Sequence, residues 1–350
     1  MASGSVTFTR TGGAEDTSSP RAHAFTGTEL DAGSHTITGL VLVDGAVYSV
    51  TFTAMDLAGN MTSVTNTNVT YDTTAASVSI ESPLSNAVVN TAAVSYTLTE
   101  AITAGDIIIT RTGGTVDALS PYTYTLTSID RTAGSHTVNP GTALVNGAIY
   151  KLEFIGVKDA AGNDTALVSS INVLFDTQSV AVTNTSPTRK SIVTMATVGY
   201  TLSEEAQYGK VTFTWTGGMA DSSSSHEYTF ISTELTAGSH TAVDTKLPLV
   251  NGAFYTVTFS FTDKASNPAT TVSNALIFFD SNYGKGPVGN VANEDGLNTV
   301  NDADVAKLQS VNGTRPGDPN WNPVCDLDRN NRIDANDLMI LMTHYGETTL

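Results

Sequence analysis

Twelve residues near the C-terminus, Asp326-Leu-Asp-Arg-Asn-Asn-Arg-Ile-Asp-Ala-Asn-Asp337, set side-chain oxygens at positions 1, 3, 5, 9 and 12: Asp326, Asp328, Asn330, Asp334 and Asp337. A hard cation such as Ca²⁺ gathers about six to eight oxygens around one point, and this spacing lets a tight loop aim them inward. Position 7, Arg332, offers its backbone carbonyl, so its side-chain charge does not disqualify it. Ile333 at position 8 is the apolar anchor. Position 6 is Asn331 where glycine is usual, and Asn tolerates the left-handed backbone such a turn needs. Position 12 is Asp rather than the longer Glu. The competing reading is a solvated acidic loop with no metal.

A weaker copy precedes it, Gly289-Asn-Val-Ala-Asn-Glu-Asp-Gly-Leu-Asn-Thr-Val-Asn-Asp-Ala-Asp304. Counting back from Asp304 as position 12 puts Asn301 at 9, Thr299 at 7 with its carbonyl, Asp295 at 3 and Asn293 at 1, but Leu297 at 5. Counting forward from Asn290 as position 1 requires a three-residue insertion. Both counts keep Asp295, Asn301 and Asp304 as ligands. Each loop runs into a short apolar segment, Val305 onward and Leu338-Met-Ile-Leu-Met342, which reads as a helix.

Two such loop-helix halves, with Asp at position 12 and Pro319-Asn-Trp-Asn-Pro323 leading into the second, resemble the dockerin module of type I. The resemblance covers residues 286–350 and implies an EF-hand-like calcium fold that binds a cohesin module. In that family the contact face is the helix after a loop together with loop positions 10 and 11. Carried onto this chain, the face is Asp302-Ala303, Ala335-Asn336, Leu338, Met339, Leu341 and Met342. Many family members have a Ser-Thr pair at positions 10 and 11, which this chain lacks. Because Leu338–Met342 is apolar all round, part of it must pack inward, and the covering surface is either a partner or the adjacent repeat.

The rest of the chain is a repeat. Ala-Gly-Ser-His-Thr occurs at 32–36, 133–137 and 237–241, each 19 residues after the second Gly of a Thr-Gly-Gly. Leu-Val-Asp/Asn-Gly-Ala-x-Tyr follows at 42–48, 144–150 and 249–255. Asp56-Leu-Ala-Gly-Asn60, Asp159-Ala-Ala-Gly-Asn163 and Asp263-Lys-Ala-Ser-Asn267 come next, and each unit closes on an aromatic-Asp pair ending at 72, 176 and 280. The 104-residue step suits one β-sandwich and is too long for a solenoid turn. Within a unit the apolar period is two, as in Val211-Thr-Phe-Thr-Trp215, with Gly- and Asn-rich turns between strands. The segment before Tyr48, Tyr150 and Tyr255 resembles the tyrosine corner of fibronectin type III and other immunoglobulin-like domains, and Asp-x-Ala-Gly-Asn resembles the last hairpin of bacterial Ig-like repeats. These resemblances cover residues 4–280 and imply tandem sandwiches whose Tyr hydroxyl ties the chain across a turn.

The expected fold is therefore mainly β, with immunoglobulin-like units at 1–71, 72–175 and 176–280 and a small helical calcium module at 281–350. The first unit lacks the 33 residues equivalent to 72–104, which hold two strands. The reading favoured is a chain that starts inside a longer protein; the sharper one is an open edge that accepts a strand from another molecule.

Sixteen basic against 34 acidic residues, a net charge of −18, argue against nucleic acid or an anionic membrane as partner. No apolar run approaches the roughly twenty residues that span a bilayer. The single Cys325 excludes an internal disulfide and reads as a small buried side chain. His35, His136 and His240 recur in separate domains, so they read as turn residues, not one catalytic site. Glu100 and Glu204 share a repeat position and read as decoration at a sandwich end, while Asp72, Asp176 and Asp280 read as turn caps in preference to calcium ligands shared with Asp159 or Asp263. Trp215, ending a strand, reads as packing in preference to part of a carbohydrate platform. These features suggest a non-catalytic extracellular or cell-surface protein whose sandwiches space a calcium-dependent attachment module. The alternatives are an adhesive array that binds polysaccharide, and the appendage of an extracellular hydrolase encoded upstream.

Overall fold

The computed structural model describes residues 1–281, 289–292, 299–328 and 330–348. The first unit is one antiparallel sheet of β1 (Ser3–Gly13), β2 (Arg21–Ala24), β3 (Ala46–Met55) and β4 (Met61–Tyr71), in the order β2-β1-β3-β4. The second adds what the first lacks. Its strands are β5 (Val78–Ser82), β6 (Val88–Val89), β7 (Val94–Leu98), β8 (Ile102–Gly114), β9 (Tyr122–Thr125), β10 (Gly134–Val138), β11 (Ala148–Asp159) and β12 (Val168–Phe175). A three-stranded sheet, β10-β7-β5, packs on a five-stranded one, β6-β12-β11-β8-β9. The third unit repeats this plan with β13 (Val182–Ser186), β14 (Ile192–Val193), β15 (Thr197–Leu202), β16 (Ala206–Gly218), β17 (His226–Thr229), β18 (Gly238–Asp244), β19 (Ala253–Asp263) and β20 (Thr270–Phe279). Two short helices follow, α1 (Asp302–Ser310) and α2 (Ala335–Thr343). The fold is mainly β, with immunoglobulin-like sandwiches and a small helical C-terminal part.

The alternation read from sequence is the alternation of burial. Along β19, Tyr255, Val257, Phe259 and Phe261 face one core, and the intervening Thr and Ser residues lie half exposed. The second Gly of each Thr-Gly-Gly has positive φ, and a Cβ on Gly114 would collide with the carbonyl of Gly147, to which the next residue's N–H is bonded.

Each tyrosine corner forms. The backbone N–H groups of Val43, Val145 and Val250 donate to the hydroxyls of Tyr48, Tyr150 and Tyr255 at 3.1, 2.9 and 2.8 Å. Those hydroxyls in turn donate to buried carboxylates of Asp16, Asp117 and Asp221 at 2.9, 2.7 and 2.7 Å. Sequence reading missed these three Asp, although each stands three residues after a Thr-Gly-Gly. A third group completes every corner, and it differs: Arg21, Tyr122 or His226. Burial works against the charge on Asp221, yet the hydrogen bonds from Tyr255 and His226 hold its carboxyl below the ordinary value.

Contacts divide the chain into two compact units, Met1–Phe175 and Asp176–Leu350. Phe254 and Phe278 of the third sandwich share one buried cluster with Val300, Trp321, Ile333 and Leu341 of the module. The adjacent repeat, one of the two expected covers for the module's apolar surface, is in contact with it. Cys325 lies wholly inside this cluster, and burial pushes its thiol up to about 12, as befits a packing residue. Trp215 is a correction: it is exposed, and its indole N–H donates to Met219 O at 2.9 Å across the Gly-Gly turn, the place where Arg10 and Arg111 make the same kind of bond.

Candidate metal centres

The second loop brings three of its five acidic or amide positions to one point. Asp326, Asp328 and Asp337 each offer a carboxylate oxygen, and these oxygens lie within 4.8 Å of one another. Asn331 at position 6 has φ +63°, the left-handed turn its side chain was expected to tolerate. Asp337 is fully buried and is held by the loop's own backbone: one oxygen accepts from Leu327 and Asp328 N–H at 2.6 and 3.2 Å, the other from Asp334 N–H at 2.8 Å. Asp334 caps α2 by accepting from Asn336 N–H at 2.9 Å. Asn330 donates to Asp328 at 2.8 Å, and Arg332 leans toward Asp334 at 3.7 Å. Ile333 is buried and bridges Gly313 and Thr314 through backbone bonds of 2.7 and 3.1 Å, so the anchor at position 8 fixes the loop to the α1 side of the module. Burial, with the Asp337 and Asp328 carboxylates beside it, pushes the Asp326 carboxyl above its ordinary value. An all-oxygen, acid-rich set of this kind suits a hard cation such as Ca²⁺ and no thiophilic metal.

The first half repeats part of the plan. Asp304, fully buried, accepts from Ala292 N–H at 2.6 Å and Asn301 N–H at 2.8 Å, while Asn301 caps α1 through Ala303 N–H at 2.7 Å. Asp304 and Asn301 therefore do for α1 what Asp337 and Asp334 do for α2. Asn290 is buried nearby in sequence, and Asn301 donates to Thr299 O at 3.1 Å. Asn293 and Asp295 lie outside the described residues, and no three-acid cluster forms among the described residues of this half.

The proposed contact face separates by burial. Leu341 is completely buried beside Gly289, and Leu338 packs on the same cluster, so Leu341 serves the core and offers nothing to a partner. Ala335, Asn336, Met339 and Met342 are exposed on α2. Asp302 is exposed on α1 and accepts from the hydroxyl of Tyr345 at 2.6 Å, with Ala303 half-buried beside it.

Two further triads arise where decoration was expected. Asp72, Glu100 and Asp159 converge at one pole of the second sandwich, and Asp176, Glu204 and Asp263 at the same pole of the third, with oxygens within 4.8 Å in each. The Asp-x-Ala-Gly-Asn hairpin builds both. Asn163 donates to Asp159 at 2.8 Å and to the carbonyl of Asp72 at 3.2 Å; Asn267 donates to Asp263 at 3.0 Å and to the carbonyl of Asp176 at 3.0 Å. Asp72 and Asp176 do cap turns, accepting from Thr74 and Gln178 N–H at 3.0 Å, but that occupies one oxygen of each. Burial, then the neighbouring Asp residues, push the carboxyls of Glu100 and Glu204 above their ordinary values. The signal in sequence was the shared 104-residue shift of all three members. The repeated His residues play the structural part expected of them: His35, His136 and His240 each bond the carbonyl four residues back, at 2.9, 2.7 and 2.8 Å.

A family model described as "Bacterial Ig-like domain" matches residues 43–73. No curated protein matches the chain. Among solved structures, the FN1–FN3 domains of chicken CNTN1 are 7% identical with a TM-score of 0.32, covering 67% of this chain and 78% of that one. A 1.5-MDa bacterial ice-binding adhesin is 17% identical with a TM-score of 0.26, covering 79% and 86%. A Ca²⁺-stabilised, ice-binding adhesin of an Antarctic bacterium is 17% identical with a TM-score of 0.24, covering 87% and 71%. Among the described residues no helix is long and apolar enough to cross a membrane.

Proposed function

We propose that this protein is a non-catalytic extracellular or cell-surface spacer that binds Ca²⁺ and attaches to a cohesin-type partner through its C-terminal module. The observation that carries the reading is the convergence of Asp326, Asp328 and Asp337 in a loop whose other oxygens, from Asn330, Asp334 and the Arg332 carbonyl, stand at calcium-ligand spacing. Calcium there neutralises a carboxylate set in which burial, and then the neighbouring Asp337 and Asp328 carboxylates, raise Asp326. The first half, through Asn290, Asn293, Asp295, Thr299, Asn301 and Asp304, is the weaker site. The triads at Asp72 and Asp176 take the same ion, fastening the start of a sandwich to its last hairpin. Ala335, Asn336, Met339 and Met342, with Asp302 and Ala303 on α1, form the attachment face.

Calorimetric titration of the full chain with CaCl₂ tests the metal reading. Saturable binding that loses one site in Asp326→Asn/Asp328→Asn, with Mg²⁺ a poor competitor, supports it; unchanged stoichiometry in that variant refutes it. Capture of an immobilised cohesin module, run in Ca²⁺ and in chelator, tests the partner separately.

A further inference from the structure

One end of the third sandwich differs from the same end of its sisters, and a cavity lies there. The residue before each corner tyrosine pairs across the sheet, Val47 with Thr70 in the first unit and Ile149 with Leu174 in the second. In the third unit the pair is Phe254 and Phe278, two buried rings 4.9 Å apart between centres. Those rings share a cluster with Val291, Val311, Trp321 and Val324 of the helical module. The same residues border a cavity of about 430 Å³, within the roughly 300–1,000 Å³ of small-molecule sites.

The rest of the lining is largely polar and comes from three places. Asn251 and Asp280 belong to the sandwich, Lys307 to α1, and Asn320 and Asn322 to the segment that carries Trp321 into the second loop. Several of these side chains keep hydrogen-bonding capacity that the described residues do not use. Trp321 is only 7% exposed, yet its indole N–H has no acceptor among the described residues. A buried donor in that state calls for an acceptor the chain does not supply. Asn251 accepts from Ser281 N–H at 2.8 Å and Asn322 from Val324 N–H at 3.1 Å through their amide oxygens, which leaves both amide NH₂ groups unused. Asn320 is exposed and makes no side-chain bond among the described residues. Asp280 holds the repeat position of Asp72 and Asp176 but joins no three-acid cluster among the described residues; it is buried beside the cavity.

These groups select a ligand by its chemistry. One acid, Asp280, and one base, Lys307, leave no net charge for an ion to answer, and a chain of net charge −18 disfavours anions. Amide and indole donors beside a carboxylate suit hydroxyls, each of which both accepts and donates. The aromatic cluster offers an apolar face to C–H groups. A pyranose ring has both kinds of surface. We propose that this cavity is a saccharide site for a neutral sugar of roughly one or two rings, with Trp321, Asn251, Asn320 and Asn322 donating to its hydroxyls and Asp280 accepting from one. A sugar held there touches the third sandwich and the module together, and its binding does not depend on the cohesin reading.

The test uses the full chain in Ca²⁺ buffer, with cellobiose, maltose, lactose and N,N′-diacetylchitobiose as probes. The chain has two tryptophans, so its ¹⁵N–¹H spectrum holds two indole signals, and the one absent from Trp321→Phe belongs to Trp321. The expected result is a saturable shift of that signal with at least one disaccharide while the Trp215 signal stays in place. Asn320→Ala, at an exposed position, should weaken binding at least about fivefold with melting unchanged. Trp321→Phe, followed by calorimetric titration, should weaken it at least about tenfold. No saturable shift with any of the four disaccharides overturns the proposal, because a cavity that holds only water ignores them all. So does binding that Asn320→Ala and Trp321→Phe both leave intact, since the sugar then sits elsewhere on the chain.

Discussion

Glu204 is the cleanest lever on the metal reading, because its carboxylate converges on Asp176 and Asp263 while the hairpin bonds of that pole belong to Asp263 and Asn267. Glu204→Gln keeps the shape and removes one charge of three. In chelator the substitution should stabilise the third sandwich. Unit charges within 4.8 Å repel by about 3.5 kcal/mol per pair at an effective dielectric constant of roughly 20, and screening at a half-exposed site leaves on the order of 1 kcal/mol. In Ca²⁺ the sign reverses. At free ion about a hundredfold above the dissociation constant, binding contributes about 2.7 kcal/mol, and a hundredfold weaker site contributes about 0.4. The binding loss, roughly 2.3 kcal/mol, less the roughly 1 kcal/mol gained in the metal-free state, leaves about 1.3 kcal/mol, which lowers the melting temperature of the Asp176–Leu350 unit by about 3–5 °C. The pH dependence adds a second signature. The folded state raises the Glu204 carboxyl above its unfolded value, so it binds the proton more tightly than the unfolded chain does. In chelator, wild-type stability from this group therefore grows as pH falls through the raised value and is complete below the ordinary Glu value; Glu204→Gln lacks the increment. Scanning calorimetry reads both. A shift of the same sign in Ca²⁺ and in chelator would refute the assignment of a cation to the triad.

Three further outcomes follow from the geometry. Tyr255→Phe should cost about 1.5–3 kcal/mol by thermal unfolding, since it removes a hydrogen bond to a buried carboxylate and orphans Val250 N–H; Tyr48→Phe should cost less, because Arg21 still pairs with Asp16 through two bonds of 2.8 Å. Leu341→Ala should destabilise the C-terminal module by about 2–5 kcal/mol, whereas Met339→Glu and Met342→Glu should change stability by less than about 0.5 kcal/mol and abolish cohesin capture, read by denaturation and by pull-down. Asp337→Ala should lose calcium at the second loop and also unfold the start of α2, seen as lost helicity even in saturating Ca²⁺, while Asp328→Asn should lose calcium alone.

What could be read without coordinates was whatever a local pattern determines. The strand alternation, the corner tyrosines, the left-handed Asn331 and the buried Ile333 each depend on neighbours a few residues away. What could not be read depends on groups far apart in the chain. Glu100 joins Asp72 and Asp159 only once three loops meet at one pole, and Asp117 finds Tyr150 across 33 residues. The inward turn of Leu341 was hidden because every side of Leu338–Met342 is apolar, so periodicity gave no face. Gly-Ser-His-Thr makes the point most directly: one sequence is strand twice and irregular once, and the difference is whether a partner strand lies beside it.

The triads also say something about order. In the second sandwich, Asp72 comes from the first residue of the repeat, Glu100 from the turn between β7 and β8 and Asp159 from its last hairpin. Asn163 bonds both Asp159 and the backbone of Asp72, 91 residues away, so the hairpin and the start of the repeat are held by the same side chain that helps position the acids. Three carboxylates from such separated points cannot converge in an unfolded chain, because closing those loops costs entropy that only the packed core around Tyr96 and Phe154 offsets. A cation at that pole therefore binds a sandwich that has already formed and does not nucleate one. Its contribution would fall on the geometry between the start of a repeat and its far hairpin. The C-terminal loop is built the opposite way. Its acids lie within twelve residues and Asp337 serves both the loop backbone and the helix start, so an ion bound there would assemble together with the fold.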